Sequence, residues 1–216
     1  MKVIIAGQKY FGAQVLRMCL LKGCEVVAVS CPIGDKYIGK LASVNNITII
    51  PAGILNGDTC PECDLGITAH SFDYIGKRTR YKPKFGWIGY HPSLLPRHRG
   101  RSSIEWAVRM GDAVTGGTVY WLNSGVDMGD IAAQDWCFID KKMYLMNPSD
   151  ASAEIWRNQL CDMGVRLLSK VVCDIMASKY IRKKQDERHA TFEPSTEARR
   201  VYRPDSLMIS QRADNN

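Results

Sequence analysis

The sequence predicts an α/β fold, an open, mostly parallel twisted sheet flanked by helices. Two observations carry that prediction. Short continuous apolar runs of strand length recur along the first half of the chain, as expected of strands buried on both faces of a parallel sheet. The first two runs enclose a stretch with helical periodicity, which makes a βαβ unit with a right-handed crossover. The 216 residues amount to about one and a half average domains, enough for one core and a short appendage. A composition of 45% hydrophobic and 24% charged residues is that of a globular chain.

The elements follow in order. Residues 2–7 form an apolar run ending in Gly7, and from about Phe11 to Leu21 the residues Val15, Met18, Cys19 and Leu21 fall at helical spacing. Val26 to Val29, Ile47 to Ile50 and Leu65 to Ala69 read as further buried strands, joined by turns rich in Pro, Gly and Asp. Gly86 to Tyr90 is the next strand, followed by a loop and a helix from Ser102 to Met110. Gly117 to Leu122 and Ile131 to Ile139 are two more strands. After Pro148-Ser149-Asp150, a natural helix start, the apolar positions Ile155, Leu160, Met163, Leu167, Leu168, Val171, Val172 and Ile175 trace one face of a long helix. Together these give a Rossmann-like domain over 1–180, with 181–216 expected as a surface tail, partly ordered.

Composition narrows the function classes. No apolar run approaches the length of a membrane span, and the chain opens directly into a strand, so neither a membrane segment nor a signal peptide is expected. The eight cysteines sit mostly in apolar segments, where a reduced Cys acts as a small hydrophobe, and the expected location is cytoplasmic. Cys60-Pro61-Glu62-Cys63 has no second ligand pair to complete a zinc site, so no metal is expected. The net charge is +7. Lys77 to Arg101 holds eight bases and no acid, which reads either as a field for anionic ligands or as a solvated basic face.

Gly7-Gln8-Lys9-Tyr10-Phe11-Gly12 lacks the middle glycine of a dinucleotide fingerprint, and no acid closes the second strand, so Gly7 and Gly12 read as shaping a strand-to-helix turn. Ligands of open parallel sheets gather at the carboxyl ends of strands. His91 stands at one such end and Asp127 follows another, between Gly125 and Gly129. On spacing alone this pair reads either as catalytic or as a structural histidine with a turn-forming aspartate.

HPSLLPRHRG at 91–100, Ser103-Ile104-Glu105-Trp106, Thr115-Gly116-Gly117-Thr118 and Gly125-Val126-Asp127-Met128-Gly129-Asp130-Ile131 together resemble the formyltransferase family that uses 10-formyltetrahydrofolate. That family includes glycinamide ribonucleotide transformylase, methionyl-tRNA formyltransferase, sugar N-formyltransferases and the hydrolase domain of 10-formyltetrahydrofolate dehydrogenase. The resemblance covers about residues 1–140 and is strongest to the hydrolase domain, whose start is similar to Gly7-Gln8 with Phe11-Gly12 and whose loop also reads YHPSLLPRHRG.

The resemblance implies a formyltransferase fold and an Asn-His-Asp constellation, of which His91 and Asp127 are present and the Asn is replaced by Gly89. It implies 10-formyltetrahydrofolate as co-substrate, in a slot formed by Phe72, Asp73 and Ile75 on one loop and Gly125, Val126 and Asp127 on another. It also implies a cis peptide at Leu95–Pro96. The expected activity is formyl transfer to the amine of a small, anionic acceptor. Hydrolysis to tetrahydrofolate and formate is the alternative, favoured by Gly89, and a folate- or RNA-binding module without chemistry is a second. Expected partners are folate and the amine, with no membrane and no nucleic acid. The oligomeric state, a homodimer included, stays open.

Overall fold

A computed structural model describes residues 1–71 and 73–196. Its centre is one seven-stranded sheet of order β3-β2-β1-β4-β5-β6-β7. The strands are β1 Lys2–Gly7, β2 Glu25–Cys31, β3 Thr48–Pro51, β4 Leu65–Ala69, β5 Trp87–His91, β6 Val114–Trp121 and β7 Ile131–Phe138. The first five pair in parallel; β6 and β7 run antiparallel. The mostly parallel sheet expected of the buried runs is present.

The helices are α1 Lys9–Leu21, α2 Ile38–Val44, α3 Lys77–Arg80, α4 Ser103–Arg109, α5 Pro148–Ile155 and α6 Cys161–Met176. One core cluster packs Phe11, Val15 and Leu16 of α1 and Leu167, Leu168 and Val171 of α6 against Ile5, Ile67 and Ile88 of the sheet. A second joins Ile4, Ala6, Trp87 and Ile75 on the opposite face. Alternation in β5 sends Ile88 to one cluster and Trp87 to the other, which leaves His91 on the Trp87 face.

Three differences from the sequence reading have physical causes. β3 is the sheet's edge, so Thr48 and Ile49 are exposed rather than buried. α2 and the single turn α3 lack an apolar stripe long enough to register as a helix; α2 is started instead by Asp35, whose Oδ1 accepts from the amides of Tyr37 and Ile38, both at 2.8 Å. The long C-terminal helix is interrupted by a π-turn at Trp156–Leu160. There Tyr90 Oη donates to the Leu160 carbonyl at 2.8 Å, and the Trp156 ring meets Phe11 at a centroid distance of 5.3 Å. The widened turn thus serves a buried tyrosine that would otherwise lack a partner.

Residues 181–196, expected as surface tail, pack back onto the start of β7 and the loop that follows β5. Lys183 bridges to Ile131. Thr191 exchanges backbone hydrogen bonds with Arg99 and Pro96, and Trp106 Nε1 donates to the Pro194 carbonyl at 2.8 Å.

Candidate functional site

β5 delivers His91 into the loop 92–100, and that loop is pinned from below. Thr118 Oγ1, on β6, donates to the Ser93 carbonyl at 2.7 Å and accepts from the Leu95 amide at 3.2 Å. Gln134 Nε2, on β7, donates to the Leu95 carbonyl at 3.0 Å. Ser93 Oγ donates to the Arg97 carbonyl at 2.6 Å, so this hydroxyl is occupied with backbone. The Leu95–Pro96 peptide is cis. His91 is buried and its orientation is fixed by its neighbours.

Asp127 sits in the β6–β7 loop with φ 54°, in the left-handed region that aspartate tolerates better than most residues. Its neighbour Gly129 leaves no room for a side chain, because a Cβ there would overlap the Trp121 carbonyl oxygen. Asp127 Oδ1 accepts from Tyr120 Oη at 2.7 Å, and Oδ2 accepts from the Gly100 amide at 2.9 Å. Oδ2 also lies 3.5 Å from His91 Nδ1, wider than a formed hydrogen bond. His91 Nε2 lies 2.7 Å from the His98 carbonyl oxygen. A carbonyl only accepts, so that contact requires the proton on Nε2. Nδ1 is then the nitrogen that gains or releases a proton, and it faces Asp127. The tautomer of the neutral ring is therefore set by the His98 carbonyl.

The returning segment 181–196 holds both loops. Gln185 Nε2 donates to the carbonyls of Asp127 and Gly129, each at 2.7 Å. Its Oε1 accepts from Arg99 Nη2 at 2.8 Å, and Arg99 pairs with Glu187 at 2.7 Å. The buried imidazole of His98 stands between two carboxylates, Asp112 at 2.8 Å and Glu193 at 3.1 Å. Gln185, Glu193 and Tyr120 escaped the sequence reading. Strand alternation could have placed Tyr120 on the face of Thr118; nothing local marks Gln185 or Glu193, whose partners lie 56 to 95 residues away.

Among the residues assigned to a ligand slot, Phe72 lies outside the described residues. Asp73 is already committed, accepting from Ser30 Oγ at 2.9 Å and the Gly53 amide at 2.7 Å. The Ile75 side chain is buried in the core beside Trp87. Val126 is 46% exposed, and the Gly125 amide donates to Asn123 Oδ1 at 2.9 Å.

Among the described residues, four of the eight bases in the basic run are paired with acids in the folded chain. Arg78 pairs with Asp58, Lys82 with Glu62, Arg97 with Asp112 and Arg99 with Glu187. Arg80 is buried and donates to the Ile75 carbonyl at 3.2 Å. The acids that answer these bases are remote in sequence, which is why the stretch read as an uncompensated field. All eight cysteines are free thiols. No described helix is long and apolar enough to cross a membrane.

Comparison with known proteins agrees with the fold. Residues 62–154 match the formyl transferase family. The chain is 33% identical over 210 residues to cytosolic 10-formyltetrahydrofolate dehydrogenase of Xenopus laevis, covering 90% of this chain and 22% of that protein. The chain thus spans about a fifth of the length of that relative. In structure it is similar to an N-formyltransferase from Helicobacter canadensis in complex with folinic acid and dTDP-3-aminofucose, with TM-score 0.73 and 18% identity over 94% of this chain and 74% of the other. Glycinamide ribonucleotide transformylase 1 of Symbiobacterium toebii aligns with TM-score 0.69 and 16% identity, over 86% of this chain and 93% of that one. With the motifs and the curated relative in agreement, the chain carries a domain of the formyl transferase family, matched over residues 62–154.

Proposed function

We propose that this domain transfers the formyl group of 10-formyltetrahydrofolate to the amine of a small, anionic acceptor, with His91 and Asp127 as the catalytic pair. The observation that carries the reading is the approach of His91 Nδ1 to the Asp127 carboxylate at 3.5 Å, while the His98 carbonyl keeps the proton on Nε2. Attack of an amine on the formyl carbon builds negative charge on the formyl oxygen and leaves a surplus proton on nitrogen. Asp127 accepts that proton; His91, acting as an imidazolium with Nε2–H on the His98 carbonyl, uses its second proton on Nδ1 to stabilise the oxyanion and then to protonate the departing folate nitrogen. The pterin lies against backbone of the loops containing Asp73 and Ile75 and of Gly125 to Asp127, as suits a flat heterocycle with donors and acceptors along its edge.

The first turn argues against one class of acceptor. In glycinamide ribonucleotide enzymes this turn binds phosphate; here Asp35 Oδ2 accepts the Lys9 amide at 2.8 Å. A carboxylate already occupies a donor that a phosphate would use, so the acceptor's anionic group sits elsewhere.

Hydrolysis to tetrahydrofolate and formate is the second reading, favoured by Gly89 in place of the family's Asn. One assay separates the two: tetrahydrofolate and formate are measured with and without a panel of amines, nucleotide-linked amino sugars included. Transfer predicts tetrahydrofolate in excess of formate when the right amine is present. Formate equal to tetrahydrofolate under every condition supports hydrolysis and overturns transfer.

A further inference from the structure

Gly89 stands opposite Tyr120 in the β5–β6 ladder. A Cβ built on Gly89 would overlap Thr68 Oγ1 and come within 3.1 Å of Leu122 Cδ1 and 3.4 Å of Tyr120 Cε1. The space in front of this strand position is therefore already filled, and the Tyr120 ring is one of the groups that fill it. From there Tyr120 Oη reaches Asp127 Oδ1 at 2.7 Å, on the carboxylate whose other oxygen faces His91. Burial, then the Asp127 charge and their hydrogen bond, push the phenol well above its ordinary value, so it remains a donor throughout the physiological range.

Resting on the formyl-transfer reading, we propose that Tyr120 is a catalytic residue whose O–H donates to the formyl oxygen as negative charge develops there, supplying the neutral donor that Gly89 cannot. As the amine nitrogen bonds to the formyl carbon, the carbonyl π electrons move to oxygen and the amine's proton passes to Asp127. A protonated carboxyl is a poorer acceptor, so the phenol's hold on Oδ1 loosens as the oxyanion forms, and the O–H turns to it without giving up its proton. The intermediate then collapses: the carbonyl re-forms, the carbon–folate nitrogen bond breaks, and that nitrogen takes its proton from His91 Nδ1. The Asp127 proton moves to His91 and restores the pair. The donor strengthens toward the transition state and adds little in the ground state, which is the condition for raising kcat rather than lowering KM.

The test is Tyr120→Phe in the full chain, assayed for tetrahydrofolate release. The expected result is a fall in kcat of about 10²- to 10³-fold, the cost of one oxyanion donor, with the KM for folate held within about threefold. A second variant carries 3,5-difluorotyrosine at 120, which keeps the ring and its packing and makes the hydroxyl more acidic. Its kcat should shift by more than threefold, an effect that a merely space-filling ring does not produce. Wild-type turnover with Tyr120→Phe within threefold of it overturns this inference alone, and so does an unchanged kcat for the fluorinated protein where Tyr120→Phe does not fold. A wild-type protein that releases no tetrahydrofolate overturns the transfer reading and this inference with it.

Discussion

His91 presents Nδ1, not Nε2, to Asp127, at 3.5 Å, because the carbonyl of His98 takes the other nitrogen at 2.7 Å. A residue seven positions later in the same loop thus decides which nitrogen is available for chemistry. The backbone of His98 is itself held in the left-handed region, φ 55°, by its imidazole between Asp112 and Glu193. The two histidines of the loop divide the work, one bracing the backbone that orients the other.

Removing the imidazole isolates its role in the transition state. His91→Ala is expected to lower kcat by at least about 10³-fold, combining lost proton transfer and lost oxyanion stabilisation. Affinity for a stable folate analogue, read by calorimetry, should stay within about tenfold of wild type. An analogue that no longer binds would make His91 a ligand-binding group instead.

Gln185 carries a prediction about action at one remove. Its amide bonds the carbonyls on either side of Met128, so Gln185→Ala leaves two acceptors short of a donor, at a cost of about 1–3 kcal/mol each if they stay dry. We expect a lower melting temperature and a tenfold or larger drop in kcat, with folate affinity nearly unchanged. Gln185→Glu should be no better, since it places a charge against carbonyl oxygens. A protein of normal kcat and lowered melting temperature would confine Gln185 to stability.

Asp35 gives the chain an acid-sensitive joint. Burial pushes its carboxyl up, but the amides of Lys9, Tyr37, Gly39 and Ile38 together outweigh that and hold it below the usual 3.8. A carboxyl depressed in the folded state stabilises above its unfolded value and loses that contribution as pH falls through the folded one. Asp35→Ala should therefore melt earlier than wild type at pH 7. The gap between the two should close as the pH is taken below about 3.8. A gap independent of pH would assign the effect to lost packing.

The basic run yields a negative prediction. Lys82 is engaged by Glu62 at 3.5 Å and by the Gly57 carbonyl at 3.3 Å. Replacing Lys82 and Lys84 by Ala is expected to change the KM for mono- and polyglutamylated folate by less than about twofold, at low as at physiological salt. A marked loss for the longer tail alone would restore these lysines as an anion-capturing surface.

What the sequence revealed divides along a physical line. Leu65–Ala69 was legible to the residue because a strand buried on both faces reads as a short, mostly apolar run bounded by turn residues. β6 begins at Val114, three residues before the reading, since Thr115 and Gly116 are buried without being apolar. α2 was invisible because its start depends on the Asp35 cap and its seven residues complete barely two turns. His91 and Asp127 stood out through motif and strand-end position. Tyr120 bonds an aspartate only seven positions on, from a strand face that alternation alone marks; Gln185 and Glu193 act through hydrogen bonds to residues far along the chain, and no local pattern encodes such a partner. The same blindness explains the basic run, whose charges are visible in sequence while the acids facing them are not.

The returning segment also imposes an order on biosynthesis. The strands from β1 to β7 are complete once residue 138 has been made, and their ladders can close while the chain is still growing. The site is not yet finished at that moment, because His98 waits for Glu193, and the carbonyls of Asp127 and Gly129 wait for Gln185. A ribosome adding about 5–20 residues per second takes several seconds more to supply them. The sheet is therefore older than its chemistry in the life of each molecule: a nascent chain halted near residue 180 would carry His91 and Asp127 with the clamp that holds their loops still missing.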